Sequence, residues 1–256
     1  RSFVQSGLKD LSITRKGITW GIPFPDDPEH VIYVWLDALT NYISAIGYGS
    51  DTKEDQASFD RWWPADMHVM AKDIVRFHAV YWPAFLMSAG LPLPKKLLVH
   101  GYVLASAGDK MSKSLGNVVD PAALAQHYGV EQIRYYLMRQ IPTSHDGNFS
   151  IDDLESRITS DLANTLGNLQ SRALALAISN KIESLQPVDQ WQESSILLQQ
   201  QCRAMIAAYW DEMTNGRFHT GLAGLWTFIS QVNAYFNEHK PWELAKNNHA
   251  LFVEVL

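Results

Sequence analysis

Residues 106–117 read SAGDKMSKSLGN. Lys110 and Lys113 stand three positions apart, interleaved with the hydroxyls of Ser112 and Ser114 and flanked by Gly108 and Gly116. Chemistry that spreads negative charge over a triphosphate needs cations aimed where that charge develops. Lysine suits the task as a compact point charge with three donors. A lone Lys-Ser pair reads as a solvated turn, but the string KMSKS behind the strand-like run LLVHGYV points to function. The glycine spacing fits neither a P-loop nor a dinucleotide fingerprint.

Two further groups could do chemistry. His78 and Trp82 are four apart, on one face of any helix that carries them. Together with Trp35 and Tyr42 they could line a pocket of indole, phenol and imidazole, which suits a polarizable thioether. Spacing alone favours ordinary core, since nine tryptophans must be placed somewhere. Farther along, Asn164, Asn168 and Arg172 recur every fourth residue, and Trp242 follows Pro241. Amides and a guanidinium in one stripe can hydrogen-bond unpaired base edges, and an indole can stack on a splayed base. Polar surface plus a core tryptophan explains the same spacing.

The elements that must position these residues fall into two textures. Up to about residue 120, β-rich runs alternate with helical patterns. Residues 31–36 (VIYVWL), 67–71 (MHVMA) and 97–103 (LLVHGYV) are predicted strands. Residues 37–48 and 74–88 are predicted helices, the second open to a kink at Pro83. Strands alternating with helices predict an α/β parallel sheet, with ligands beyond the carboxyl ends of its strands. On this reading Trp35 lies on a strand and Asp73 caps the helix that begins at Ile74. From residue 154 onward apolar residues recur at spacings of three and four, predicting an α-helical bundle with segments at 154–179, 194–213, 218–238 and from 241.

Composition sets the bounds. The chain has 256 residues, 46% of them hydrophobic and 19% charged, enough apolar mass for a sizeable core. The formal charge is −6, which excludes a wholly basic nucleic-acid coat but not a local binding site. The single cysteine, Cys202, leaves any zinc site to histidine and carboxylate. No stretch approaches the roughly 20 apolar residues that cross a bilayer, and no membrane partner is expected.

The combined text resembles methionyl-tRNA synthetases, within class I of the aminoacyl-tRNA synthetases. Lys110-Met111-Ser112-Lys113-Ser114 matches the class signature loop; YVWLDALTNY, KDIVRFHAVYWPAFL, DLANTLGNL and KPWELAK match in order along the whole chain. The resemblance implies the second half of a Rossmann-like catalytic domain over 1–120, a connecting stem-contact-like region over 121–153, and a helical anticodon-binding domain over 154–256 that stops before the family's last helices. The family's His-x-Gly-His signature is absent, so a missing N-terminal half of the same protein is expected and the isolated chain is expected to be inactive. Implied roles are catalysis for Lys110, Lys113 and Asp73, and ATP binding for Lys110, Met111, Ser112, Lys113 and Ser114. Methionine binding is implied for Trp35, Ala38, Leu39, Tyr42, His78 and Trp82. Arg15 would stand at the active-site rim, although a surface arginine on a strand fits as well. Asn164, Asn168, Arg172 and Trp242 would read the anticodon.

The implied activity is that of a methionine–tRNA ligase in protein synthesis. Mg-ATP and L-methionine would be substrates, tRNA(Met) the partner, and no metal site is visible in the chain. A cytoplasmic location is expected, with the mitochondrial matrix as the alternative. Another class I synthetase and a non-catalytic tRNA-binding module are the rival readings. The cysteinyl and leucyl types differ in pocket text and carry zinc-ligand cysteines or editing insertions that this chain lacks.

Overall fold

The computed structural model describes residues 1–184 and 190–256, with the Lys113 side chain left out. The chain divides into two compact units, Arg1–His100 and Gly101–Leu256.

The first unit opens with a short helix, α1 (Ser2–Gln5), and an antiparallel sheet ordered β1-β3-β2 (Thr14–Lys16, Asp27–Ile32 and Pro23–Phe24). Helix α2 (Val34–Ser44) follows directly. The predicted strand over 31–36 is therefore corrected: pairing ends at Ile32, and Val34, Trp35 and Leu36 form the first turn of α2. The β-branched and aromatic run VIYVW favours extended backbone locally. Burial of Leu39 and Ile43 in the core favours the helix and decides the outcome.

Helix α3 (Lys53–Trp62) is capped by Thr52, whose side chain accepts from Asp55 N. Strands β4 (His68–Ala71) and β5 (Leu97–His100) pair in parallel, His68 opposite Leu97 and Ala71 opposite His100. The predicted strand over 97–103 ends at His100: Gly101 and Tyr102 lie in no strand, and Val103 belongs to a different pair in the second unit.

Between β4 and β5 the predicted helix over 74–88 is helical but uneven. A 3₁₀ turn (Lys72–Ile74) leads into a π-helical stretch (Phe77–Tyr81) and then α4 (Trp82–Ser88). Pro83 explains the widening, since it donates no hydrogen bond and its ring crowds the carbonyl four residues back. The N–H of Trp82 accordingly reaches Phe77 O, five residues earlier. Leu39, Ile43, Trp63, Trp82 and Leu86 form the core of this unit. Truncating such a buried leucine costs about 2–5 kcal/mol.

The second unit begins with β6 (Val103–Leu104), paired in parallel with β7 (Gly147–Asn148). Helices α5 (Pro121–Tyr128) and α6 (Val130–Gln140) lie between them. Asp120 caps α5 through Ala122 N at 2.9 Å. Ile133, Tyr136, Phe149 and Leu154 form its core, and Met111 packs against them.

The rest is helical. It comprises α7 (Ile151–Arg157), a π-helical stretch (Ile158–Gly167), α8 (Asn168–Ser179), α9 (Glu193–Thr214), α10 (Phe218–His239), α11 (Pro241–Asn247) and α12 (His249–Val255). The smooth helix predicted over 154–179 is thus widened in its middle. There Ser160 donates to Ser156 O, Thr165 to Ser160 O, and Asn233 Nδ2 to Thr165 O at 3.0 Å. Among the described residues no helix is long and apolar enough to cross a membrane. Among the same described residues, no group of three His, Cys, Asp or Glu side chains is placed to hold a metal.

Candidate active site and RNA-binding residues

The first unit gathers most of the predicted pocket. Because residues 35–42 are helical, Trp35, Ala38, Leu39 and Tyr42 fall at i, i+3, i+4 and i+7, on one face of α2. On a strand, Trp35 and Ala38 would point to opposite sides. Trp35 stacks on Phe77, with ring centroids 3.7 Å apart and planes within 8°. Leu39 and Trp82 are each 1% exposed and belong to the core, whereas Ala38 is exposed.

Tyr42 Oη lies 2.9 Å from His78 Nε2, and His78 Nδ1 lies 3.0 Å from Ile74 O. A carbonyl oxygen can only accept, so Nδ1 carries the proton of neutral His78 and the Tyr42 hydroxyl donates to Nε2. His78 is buried, and the Tyr42 hydroxyl is pushed above its usual range by burial. The result is an aromatic wall with one hydroxyl and one imidazole, a surface chemistry that suits an apolar or thioether side chain.

Sequence reasoning missed His68 and Phe77. His68 is buried at the start of β4, accepts a hydrogen bond from Trp82 Nε1 at 3.2 Å, and faces the Tyr42 ring at 4.2 Å. Burial, aided by nearby His78, pushes its imidazole below its ordinary value. Alternation along HVMA, which buries His68 and Met70 and exposes Val69, was the available signal for its inward position.

Asp73 is exposed inside the 3₁₀ turn. The residue that caps that turn is Ala71, which corrects the expectation of an Asp73 cap. Arg15 sits in the middle of β1, opposite Val31, with its guanidinium 3.9 Å from the centroid of the Tyr33 ring.

The lysine loop belongs to the second unit. Leu104 and Lys110 form an antiparallel bridge around a tight turn, closed by Gly108 N to Ala105 O and Ala105 N to Asp109 O. Gly108 turns there with φ +85°, a conformation that glycine adopts without strain. The Lys110 ammonium stands 4.8 Å from the Tyr102 ring centroid. Ser112 N donates to Asn117 Oδ1 at 2.8 Å, while Ser112 Oγ meets Ser114 Oγ at 2.9 Å and accepts from Leu115 N. Met111 anchors the loop in the core, and Lys113 opens a 3₁₀ turn ending at Leu115. The loop thus combines an anchored middle with exposed Lys110 and Ser114.

Two of the four predicted RNA-contacting residues meet. The Arg172 guanidinium lies 5.0 Å from the Phe236 ring centroid and 5.5 Å from that of Trp242, and Nη2 donates to Asn237 Oδ1 at 2.7 Å. Trp242 remains 39% exposed, so it is a surface indole and not part of the core. Asn164 and Asn168 are exposed on the π-helical stretch and at the start of α8.

Known proteins resemble this chain in sequence and fold. The chain is 46% identical over 255 residues to a methionine–tRNA ligase of Rhizobium meliloti, covering 100% of this chain and 49% of that protein. It is 48% identical over 247 residues to one of Thermotoga maritima, covering 96% of this chain and 38% of that protein. Its fold superposes on Mycobacterium tuberculosis methionyl-tRNA synthetase in complex with methionyl-adenylate with a TM-score of 0.87 and 41% identity, over 99% of this chain and 50% of the other. The chain spans about half or less of the length of these relatives. Residues 1–174 match the family of tRNA synthetases class I (M), and with the signature loop and aromatic wall in place, the chain belongs to that family.

Proposed function

We propose that the protein to which this chain belongs is a methionine–tRNA ligase. It activates L-methionine with Mg-ATP and transfers the methionyl group to tRNA(Met). The observation that supports this reading best is the aromatic wall of Trp35, Tyr42, His78 and Trp82, held by the Tyr42–His78 hydrogen bond of 2.9 Å. A charged or strongly polar substrate side chain would find no counter-ion there, whereas a thioether gains sulfur–aromatic contacts.

In the first step a methionine carboxylate oxygen attacks the α-phosphorus of ATP. The bond to the bridging oxygen breaks, giving methionyl-adenylate and pyrophosphate. In the second, a hydroxyl of the terminal tRNA ribose attacks the activated carbonyl and AMP departs. Positioning and charge stabilisation carry such displacements, with no covalent enzyme intermediate. Lys110 and Lys113 stabilise the triphosphate charge, and the backbone and hydroxyls of Met111, Ser112 and Ser114 shape the loop around it. Asp73 would be the carboxylate that assists activation, and Arg15 would stand at the rim. Magnesium enters with ATP as part of the substrate.

Residues 1–120 would serve as the second half of the catalytic domain, 121–153 as the connection, and 154–256 as the anticodon-binding part. This is a division of roles, distinct from the two packing units. Arg172 and Trp242, 5.5 Å apart, would present a guanidinium and an indole to the anticodon, flanked by Asn164 and Asn168. The 256-residue chain alone would lack the residues of the His-x-Gly-His signature and be inactive. The site of action would be the cytosol.

The test is charging of purified tRNA by the full-length protein. Methionine attached to tRNA(Met), and not to tRNA of another identity, is the expected product. Charging with a different amino acid would favour another class I synthetase, and no charging would favour a tRNA-binding module.

A further inference from the structure

Of the two histidines buried among the described residues, His68 is the one for which the proposed reaction has no use, although it touches both Trp82 and Tyr42. It is 5% exposed, an unusual place for a titratable ring unless its nitrogens are satisfied. Its Nε2 accepts from the indole N–H of Trp82 at 3.2 Å, so neutral His68 carries its proton on Nδ1. Its ring lies 4.2 Å from that of Tyr42 and 6.3 Å from that of His78. Trp63 closes the other side, 6.1 Å from His68 and 6.0 Å from Trp82. Trp82 and Tyr42 come from α4 and α2, and β4 supplies the imidazole that ties them together.

We infer that His68 is a positioning residue for amino-acid specificity: through its hydrogen bond to Trp82 and its ring contact with Tyr42, it fixes the spacing of the wall that receives the substrate side chain. This rests on the methionine reading above. His68 touches the wall residues and acts through them. A protonated His68 could no longer accept from the indole, and the lowered affinity of the buried ring for a proton keeps the acceptor available. Asparagine or glutamine could accept the indole proton but would leave space against Tyr42. Phenylalanine would fill that space but leave the buried Trp82 N–H without a partner, which is costly.

The two halves of the role can therefore be separated in the full-length protein. His68→Phe should raise the methionine KM in ATP–pyrophosphate exchange about tenfold, with ATP KM and kcat close to wild type. His68→Gln should recover part of that loss, yet narrow the preference for methionine over norleucine and ethionine. In a Trp82→Phe background, where the indole donor is gone, the additional loss from His68→Phe should shrink to about twofold or less.

The Trp82 indole N–H resonance provides a readout independent of activity. It should shift, and exchange faster with solvent, in His68→Phe but not in His68→Gln. Wild-type exchange that does not respond to methionine would overturn both this inference and the functional reading. Methionine-driven exchange with unchanged KM, selectivity and indole resonance in both variants would overturn this inference alone. A uniform loss of kcat with every substrate would also overturn it, marking His68 as general core.

Discussion

The Tyr42 hydroxyl and the His78 imidazole meet at 2.9 Å across 36 residues of sequence, and Ile74 O determines which of them donates. By binding Nδ1–H, that carbonyl leaves Nε2 as an acceptor, so the proton of the contact belongs to tyrosine. The 3₁₀ and π-helical segments place Ile74 four residues before His78 while the widened turn accommodates Pro83. A backbone irregularity caused by one proline thus sits where the pocket histidine is oriented. The consequence is a wall whose hydroxyl and imidazole satisfy one another.

Tyr42→Phe removes that donor and keeps the ring. Loss of one neutral hydrogen bond corresponds to about 0.5–1.5 kcal/mol. The methionine KM of the full-length protein should therefore rise by about three- to tenfold, with kcat nearly unchanged. Steady-state pyrophosphate exchange checks this, and a fall in kcat at constant KM would remove Tyr42 from substrate binding.

Acidification should weaken the fold through His68. Its folded-state proton affinity is lowered by burial and by His78, whereas in the unfolded chain it titrates near 6.5. Below about pH 6.5 the unfolded state takes up a proton that the folded state refuses, so stability falls as pH drops towards the depressed folded value. The titratable groups that face His68 are His78 and Tyr42, 6.3 Å and 4.2 Å away between ring centroids, and both residues are retained in a His68→Gln comparison. Denaturant midpoints at pH 7.5 and 5.5 should show wild type losing more stability on acidification than His68→Gln. Equal losses would mean that His68 protonates freely in the folded protein.

Lys113→Ala should lower kcat for adenylate formation by about 100-fold and leave methionine KM within about twofold. Interactions made mainly in the transition state act on rate and not on ground-state affinity. Lys110→Ala should behave similarly, with some additional change in ATP KM because its ammonium is already held near Tyr102. A loss confined to methionine KM in either variant would rule out the assigned role.

Trp242→Ala should raise the KM for tRNA(Met) about tenfold or more, since stacking on one base contributes about 1–3 kcal/mol. Amino-acid activation should stay near wild type. A tRNA with an altered anticodon should show little further loss, because the contact is already absent. The exposed indole beside Arg172 makes this outcome specific. Equal damage with both tRNAs, accompanied by a lowered melting temperature, would mean that Trp242 supports the fold of α10 and α11 instead.

Much of this was legible in residue types and spacing, and the exceptions have physical reasons. The two long helices α9 and α10 match the predicted segments to within a residue, because apolar periodicity is strong over long runs, whereas the single stretch predicted from 241 is broken at Asn248 into α11 and α12. VIYVWL misled because its local preference for extended backbone is outweighed by the burial of Leu39 and Ile43 one turn later. The break between His100 and Val103 is invisible in LLVHGYV, where the same apolar text serves two different strand pairs. Of the candidate site, the lysine string stands out by itself, whereas the aromatics are singled out only through the family resemblance, because their spacing is that of ordinary core. The role of His68 could not be read, since it depends on an indole fourteen residues away and a phenol on another helix.

The central claim is methionine activation, and the most direct measurement is ATP–pyrophosphate exchange by the full-length protein with methionine, leucine and homocysteine compared at equal concentration. The account predicts exchange that saturates with methionine, requires Mg-ATP, and is at least about 100-fold slower with leucine. Exchange that ignores methionine, or that leucine drives equally well, would contradict it.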